Sequence, residues 1–493
     1  MQSRTRFFEI IPGALVWVTF ILLFWLSFKA PVFVSVFFIL YSLFWLARIV
    51  YLHFHLRFSF AKTRENLKID WRGKLEELER WRDVYHLVIL PMYKEPLPVV
   101  RETFLALRGS NYPKDKIMVV LGTEEGAGGE AASIAESIKR EFGKDFFRFL
   151  ITRHPEGIEG EIPGKGSNET WAGRRAKDEI IDPLGLEYEK IIVSVLDVDT
   201  QVPPEYFGRL TYVFRTCGNP QRSSYQPIPL FTNNIYQAPA FSKVMSFFPT
   251  FWQMMQQSRE EQLSTFTSQA MPFKALVEVG FWDTDYVSED SLIFWKFYLH
   301  YDGNWRTEPL YFPVSMDATD APTFWGTVKN LYRQQRRWAW GVENIPYMLS
   351  GFAKNKKIPF RKKAFWTFVF MEGFYSWATS AFILFILGWL PLFVGSYEFG
   401  TTLLSYNVRR VVGLILNFSN LALVASAVLS IILLPSAKPN WFRRKHYVLY
   451  FLSWALAPLL IIVFSAIPAV EAQSRLMLGG RFRLGFWPTP KSR

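Results

Sequence analysis

The sequence predicts an α/β domain, built on a mostly parallel sheet with helices on both faces, set between helices that cross a membrane. Three observations predict it. Long apolar runs lie toward both ends of the 493-residue chain. Strand-like runs alternate with helix-like ones from residue 84 onward, the pattern of a parallel sheet. Half of the residues are apolar, with 47 Phe and 19 Trp, yet the formal charge is +13. Apolar runs bordered by aromatic and basic residues are what a bilayer and its interfaces select. The composition excludes a disordered chain and argues against an ordinary soluble enzyme. No interleaved basic and aromatic platform and no zinc-finger spacing occurs, so no nucleic-acid partner is expected. The basicity is assigned to the cytoplasmic membrane face and to an anionic substrate. The single cysteine, Cys217, excludes an intramolecular disulfide and reads as a buried apolar filler in a reducing compartment.

Taken in order, residues 10–28 and 31–52 are each long and apolar enough to span, and the break at Lys29, Ala30 and Pro31 makes them a hairpin. A secretory leader would be shorter and would carry a small-residue cleavage site. Arg4 and Arg6 before the hairpin, and Arg48, Arg57, Lys62 and Arg64 at its exit, put both ends on the cytoplasmic side. The transmembrane hairpin is therefore expected over 1–56. Residues 68–83, KIDWRGKLEELERWRD, read as an amphipathic linker helix near the headgroups, within a segment 57–83. Four strands follow at YHLVILP, KIMVVLGT, FFRFLITR and EKIIVSVLDVD, in an α/β domain expected over 84–345. A basic interfacial linker is expected over 346–364, transmembrane helices over 365–471 and a basic tail over 472–493. Residues 365–394, 411–434 and 447–470 have spanning character. The first run is longer than one span needs and contains Glu372 and Gly373, so it reads as one long tilted helix or as an interfacial piece joined to a span. Arg409 and Arg410 do not fit a simple three-span count, which leaves the number of C-terminal spans open.

The stretch VSVLDVDTQVPP organises the chemistry. Residues two apart on a strand project to one side, so Asp197 and Asp199 can present two carboxylates at the strand's C-terminal end, where open α/β sheets bind ligands. Two hard oxygen donors suit a divalent cation that takes the rest of its shell from water and phosphate. Solvated turn aspartates have the same sequence, so the pair alone does not decide. PMYKEP, residues 91–96, is a tight loop at the same sheet edge, where backbone N–H groups can meet a nucleotide. In GTEE one of Glu124 or Glu125 could contact a base edge, although loop glutamates are more often only solvated. Lys165, in a Gly-rich segment entering a helix, is a point cation among exposed amides, an arrangement that binds phosphate and that flexible loops share.

Ser288, Glu289 and Asp290 precede an apolar helix. Acids in a first turn complement the helix dipole, and an acid there beside a cleft is also placed to take a proton. In QQRRWAWG, Gln334, Arg337 and Trp338 stand at i, i+3 and i+4, on one helix face. Arginine can bond two phosphate oxygens and an indole can stack on a sugar ring, while a basic helix lying on the membrane would show the same pattern.

The ordered set PMYKEP, DVD, SED and QQRRW, framed by spanning helices, resembles the membrane-integrated family-2 glycosyltransferases, the group of cellulose, hyaluronan and chitin synthases. The resemblance covers roughly residues 84–345, and Gln334-x-x-Arg337-Trp338 is its specific part. It implies a GT-A fold and inverting transfer from a nucleoside diphosphate sugar, a UDP-sugar foremost, with Mg²⁺ or Mn²⁺. By the same resemblance Asp197 and Asp199 are diphosphate and metal ligands, Asp290 with Glu289 beside it supplies the base, and Gln334, Arg337 and Trp338 hold pyrophosphate and acceptor. Glu124 and Lys165 complete the expected donor site. Two departures stand out. GTEE replaces aspartates at the second strand's end, and TFTSQAMPFKALVEVGFW lacks the usual glycine-rich acceptor loop. The expected activity is polysaccharide synthesis with coupled export, at an inner membrane with the catalytic domain cytoplasmic. Transfer of one sugar to a membrane lipid, giving a glycolipid, is the alternative, and a non-catalytic scaffold of the same fold is another.

Overall fold

The computed structural model describes residues 2–491. Two long helices open the chain, α1 (Gln2–Lys29) and α2 (Pro31–Asn66), turned back on each other at Ala30 as the proline predicts. α2 continues ten residues past the expected end of the hairpin, so there is no separate linker helix over 57–83. The stretch 68–83 is instead a short helix, Trp71–Glu76, and a single turn, Trp81–Asp83. Its charges face water while Trp71 and Trp81 are buried in the core of the α/β domain, capped by Arg209 and Arg72 respectively. Burying two indoles outweighs any headgroup contact.

The strands are β1 (Tyr85–Pro91), β2 (Ile117–Glu124), β3 (Arg148–His154), β4 (Ile191–Val195), β5 (Ser223–Phe231), β6 (Ala270–Pro272) and β7 (Arg306–Met316). Among the described residues they form one sheet in the order β3-β2-β1-β4-β6-β5-β7. β6 pairs antiparallel with both neighbours and every other pair is parallel. The C-terminal ends of β1, β2, β4, β5 and β7 therefore share one edge. Alternation along β1 builds two cores: Val88 and Leu90 pack into one layer, Leu87 and Ile89 into the other. The second layer contains α3 (Lys165–Ala176), and the first contains α4 (Tyr206–Thr216). His86 of β1 is fully buried against the Thr211 hydroxyl of α4, 2.8 Å away, and burial drops its pKa to about 3.

Further helices of the domain include α5 (Ala240–Gln257), α6 (Glu289–His300), α7 (Phe324–Ala339) and α8 (Asn344–Lys354). The first half of the expected linker over 346–364 is α8, whose Met348 and Phe352 join the core around Trp295 of α6. Cys217, expected as buried filler, is half-buried, with its sulfur 3.5 Å from the Tyr225 hydroxyl.

Among the described residues, five stretches are long and apolar enough to cross a membrane: 5–29, 31–66, 360–394, 403–432 and 444–478. In the third, α9 (Phe360–Phe385) is one helix with two environments. Trp366 and Phe370 pack on Trp295 of the α/β domain, and Glu372 forms an ion pair with Arg48 of α2. The first half of α9 thus packs on the α/β domain, and its second half continues as an apolar helix long enough to cross a membrane. After α10 (Leu403–Ile432), the final run includes α11 (Arg444–Ser453) and α12 (Ile467–Leu478). Although apolar, this run touches the α/β domain at several points and also packs on α1 and α9, where Trp17 bonds Ser474 and Trp377 bonds Ser465. Tyr450 and Trp454 pack on Phe247 and Phe251 of α5, Phe464 stacks on Phe241, and Glu471 binds Tyr332 and Arg336 of α7.

Candidate active site

The shared C-terminal edge of the sheet opens into a cavity of about 810 Å³. Pro91 and Met92 after β1, Glu124 at the end of β2, and Asp197 and Asp199 after β4 all line it. So do Lys165 on α3, Glu289 and Asp290 on α6, and Gln334, Arg337 and Trp338 on α7. The expected donor, base and acceptor residues thus reach one space, whereas Glu125 turns away from it to pair with Arg153 at 3.3 Å.

β4 stops at Val195, so the two aspartates stand in the turn beyond the strand and are held differently. Asp197 accepts from Lys165 Nζ at 2.9 Å and from the Thr267 hydroxyl at 3.2 Å. Burial pushes its carboxyl up, but Lys165 and then Lys491 outweigh that and hold it at about 2. Asp199 is fully buried and accepts from the Asp317 backbone N–H at 2.9 Å and from Lys491. Its Oδ1 has no partner. A buried carboxylate oxygen left open, beside a second carboxylate that lines the cavity, is a donor set that fits Mg²⁺ or Mn²⁺.

Lys165 does not stand free for phosphate. Its ammonium bonds both oxygens of Asp290 at 2.9 Å and lies 3.5 Å from Glu169 and Glu289. Burial works against its charge, yet the four acids hold it well above the ordinary lysine value. Gly164, just before it, has φ +155°, and a Cβ there would meet the Phe486 ring at 2.5 Å, so this position requires glycine.

Asp290 is fixed from several sides. Its carbonyl accepts from the Thr265 hydroxyl at 2.7 Å and from Gln269 Nε2 at 2.9 Å, so the stretch without a glycine-rich loop grips the turn of α6. The α6 N-terminus is capped from a distance. Ser288 makes no cap bond of its own; Glu343 Oε1 accepts from the Val287 and Ser288 N–H groups and from the Ser288 hydroxyl, at 2.6 to 3.0 Å. Glu343 Oε2 takes the Trp340 indole N–H at 2.8 Å.

On α7, Gln334 accepts from the Thr319 hydroxyl at 2.6 Å, and Trp338 leans on Phe231 and Phe266. Arg337 lies over the Phe486 ring, with its buried Nε unpartnered. Glu124 is half-buried, and burial raises its carboxyl. Glu169, Glu343 and the segment Phe486–Lys491 escaped the sequence reading. An isolated acid carries no motif, and the segment after α12 reads only as a basic tail although it returns to the site.

Residues 192–468, more than half of the chain, match the family described as Glycosyl transferase family group 2. The chain belongs to this family. The sheet just described is accordingly the GT-A fold of a glycosyltransferase, and the resemblance is borne out at that level. No curated protein matches the sequence of this glycosyltransferase. Among solved structures it is similar to the mannosyltransferase PcManGT from Pyrobaculum calidifontis, in complex with GDP-Man and Mn²⁺. Identity there is 16%, over 84% of this chain and 98% of that one, with a TM-score of 0.39. It is also similar to S. aureus TarS 1-349 in complex with UDP-GlcNAc, at 12% identity over 80% and 91% of the two chains, with a TM-score of 0.40.

Proposed function

We propose that this glycosyltransferase is a membrane-integrated polysaccharide synthase of the cellulose, hyaluronan and chitin synthase kind. It uses a nucleoside diphosphate sugar, a UDP-sugar foremost, inverts the anomeric carbon and passes its product outward. One observation carries the reading. The cavity that holds Asp197, Asp290 and Trp338 continues without a break to Trp377, Ser380 and Ser419 on α9 and α10. A growing chain could leave by that route as it lengthens.

The acceptor hydroxyl attacks the anomeric carbon opposite the diphosphate and gives its proton to the Asp290 carboxylate. The bond from that carbon to the diphosphate oxygen breaks, and its electron pair leaves with the nucleoside diphosphate. A positioned base of this kind contributes about 10²- to 10⁴-fold in rate. Arg337, with Nε free, supplies positive charge where the leaving group gathers negative charge. Gln334 offers its amide hydrogens to the pyrophosphate, its oxygen being committed to Thr319. Trp338 is the stacking face for the acceptor sugar. Asp197 and Asp199 are the residues that would hold Mg²⁺ or Mn²⁺, which would neutralise the diphosphate.

The run 444–478 begins and ends against the catalytic domain, which supports four crossings, by α1, α2, α9 and α10. The domain then lies on the side of Arg57, Lys62 and Arg64, the cytoplasmic face of an inner membrane. The test is the full-length protein in detergent, screened with UDP- and GDP-sugars with and without Mn²⁺, products separated on a gel. Polymer is expected. A single glycolipid band would overturn the synthase reading in favour of one-sugar transfer to a lipid, and no turnover of any donor would favour the scaffold.

A further inference from the structure

Where α2, α5 and α9 meet, the cavity wall carries more positive charge than it pairs. Arg48 of α2 and Glu372 of α9 form a two-armed ion pair, with Arg48 Nη2 at 3.0 Å from Glu372 Oε2, and Glu372 also accepts from the Ser376 hydroxyl at 2.6 Å. That carboxylate is fully engaged. Arg259, just past the end of α5, lines the same cavity. Its guanidinium donates to the neutral Gln256 side chain, its Nε is buried without a partner, and among the described residues no carboxylate forms an ion pair with it. Burial holds its pKa below the ordinary arginine value, and Arg48 adds to that against the pull of Tyr51, Glu261 and Glu372. Arginine stays charged even so. Of the two acids, Glu261 is exposed and Glu372 already belongs to Arg48. His53 offers no free donor, since its nitrogens face the carbonyls of Ile49 at 2.9 Å and Ala422 at 3.2 Å.

A half-buried cation with an orphaned N–H calls for an anion, and the surroundings say which kind. Arg48 stands near the end of the apolar run 31–52, with Arg57, Lys62 and Arg64 beyond it, which is headgroup height for a spanning helix. Trp45, whose ring lies 5.0 Å from the Arg48 guanidinium, and Trp252 of α5 line the same wall, and tryptophan favours that depth. α2 has two faces here. Arg48 and Leu52 line the cavity, whereas Val50, Tyr51 and Phe54 are exposed. The Ser258 hydroxyl, 2.9 Å from His55 Nδ1, ties the end of α5 to α2. Arg259 therefore stands at the seam between the cavity and an apolar outer face, in reach of the Tyr51 hydroxyl's field.

We propose that Arg259, backed by Arg48, binds the phosphate of an anionic phospholipid whose chains lie against Val50, Tyr51 and Phe54. The planar guanidinium matches phosphate oxygens, and the lipid supplies the charge that the protein leaves out. Free phosphate shares the headgroup's chemistry but has no chains to fill the apolar face. This site is separate from the proposed donor site, where Gln334 and Arg337 of α7 hold the diphosphate. It needs only that α2 crosses the membrane, and it stands whether or not the protein transfers sugar.

The experiment is native mass spectrometry of the full-length protein in detergent, loaded with phosphatidylglycerol, with diacylglycerol of the same chains, or with inorganic phosphate. One phosphatidylglycerol retained per chain is expected, and neither of the other two. Arg259→Gln should weaken that retention about tenfold, the worth of the lost charge-assisted bonds. Arg57→Gln removes a cation of the same leaflet that does not line the cavity, and should leave retention unchanged. Gln256→Glu gives Arg259 a carboxylate partner within the protein, so it should release the lipid while the fold holds, and it serves as the test if Arg259→Gln does not fold. Wild-type retention in Arg259→Gln or in Gln256→Glu overturns the proposal. So does a loss in Arg57→Gln as large as in Arg259→Gln, which would mean a general attraction to the basic surface. Inorganic phosphate or diacylglycerol held as firmly as phosphatidylglycerol overturns it too, in favour of a free anion or of chain contacts alone. Binding is read without any sugar donor, so failure of the function above leaves this result unaffected.

Discussion

Glu343 accepts a hydrogen bond from the Ser288 backbone N–H at 2.8 Å. A residue just past the Gln-Arg-Trp helix thereby caps the helix that carries Asp290. The proposed phosphate clamp and the proposed base are thus tied together by this cap, although Gln334 lies 44 positions after Asp290.

Glu343→Ala should loosen that unit. It strands the N–H groups of Val287 and Ser288 together with the Trp340 indole, and an unsatisfied buried group costs about 1 to 3 kcal/mol. A lower melting temperature in detergent is expected, with kcat falling more than donor affinity. A melting temperature equal to wild type would show that the cap is dispensable.

Asp290→Asn should lower transfer about 10²- to 10⁴-fold while the donor still binds. Turnover of labelled donor, alongside calorimetric binding of the nucleoside diphosphate, separates the two effects. Unchanged turnover would remove Asp290 from its role.

Lys491 holds the Asp199 carboxylate at which a divalent cation is proposed to bind. Lys491→Met should therefore tighten Mn²⁺ binding in the absence of donor, read by the paramagnetic signal of free Mn²⁺. Binding weaker than in the wild type would mean that the ammonium helps to build the site.

Trp338→Ala should raise the acceptor KM about tenfold, the worth of one good ring contact, and leave the donor KM in place. Initial rates over an acceptor titration decide it, and an equal rise in both constants would assign the indole to packing against Phe231 and Phe266.

His86 sets a pH dependence of stability. Its folded pKa, about 3, lies below the ordinary 6.5, so the unfolded chain binds the proton first. Stability is full above about 6.5 and declines as pH falls toward about 3. Melting temperatures over that window should show less decline for His86→Gln than for the wild type.

The first four strands were legible because each is an apolar run that ends in a turn signal. β5 and β7 were not, since Pro227 and Pro229 interrupt one, and Pro309 and Pro313 the other. Prolines argue against a strand, and here the register shifts between Gln226 and Ile228 to accommodate them. β6 is three residues long and too short to leave a pattern. The charged stretch 68–83 misled for the opposite reason. Its pattern was helical and exposed, but two tryptophans decided where it went. The aspartates, the Ser-Glu-Asp turn and the Gln-Arg-Trp face could be read because spacing encodes them. Glu169, Glu343 and Lys491 could not, because their partners are chosen by the tertiary fold.

The return of the segment after α12 to Asp199 has a practical side. Trp487, four positions before the ammonium held at Asp199, lies beneath the Arg333 guanidinium and does not line the cavity. It is a built-in fluorophore, and its emission should report when a ligand displaces Lys491, with no change to any residue of the cavity.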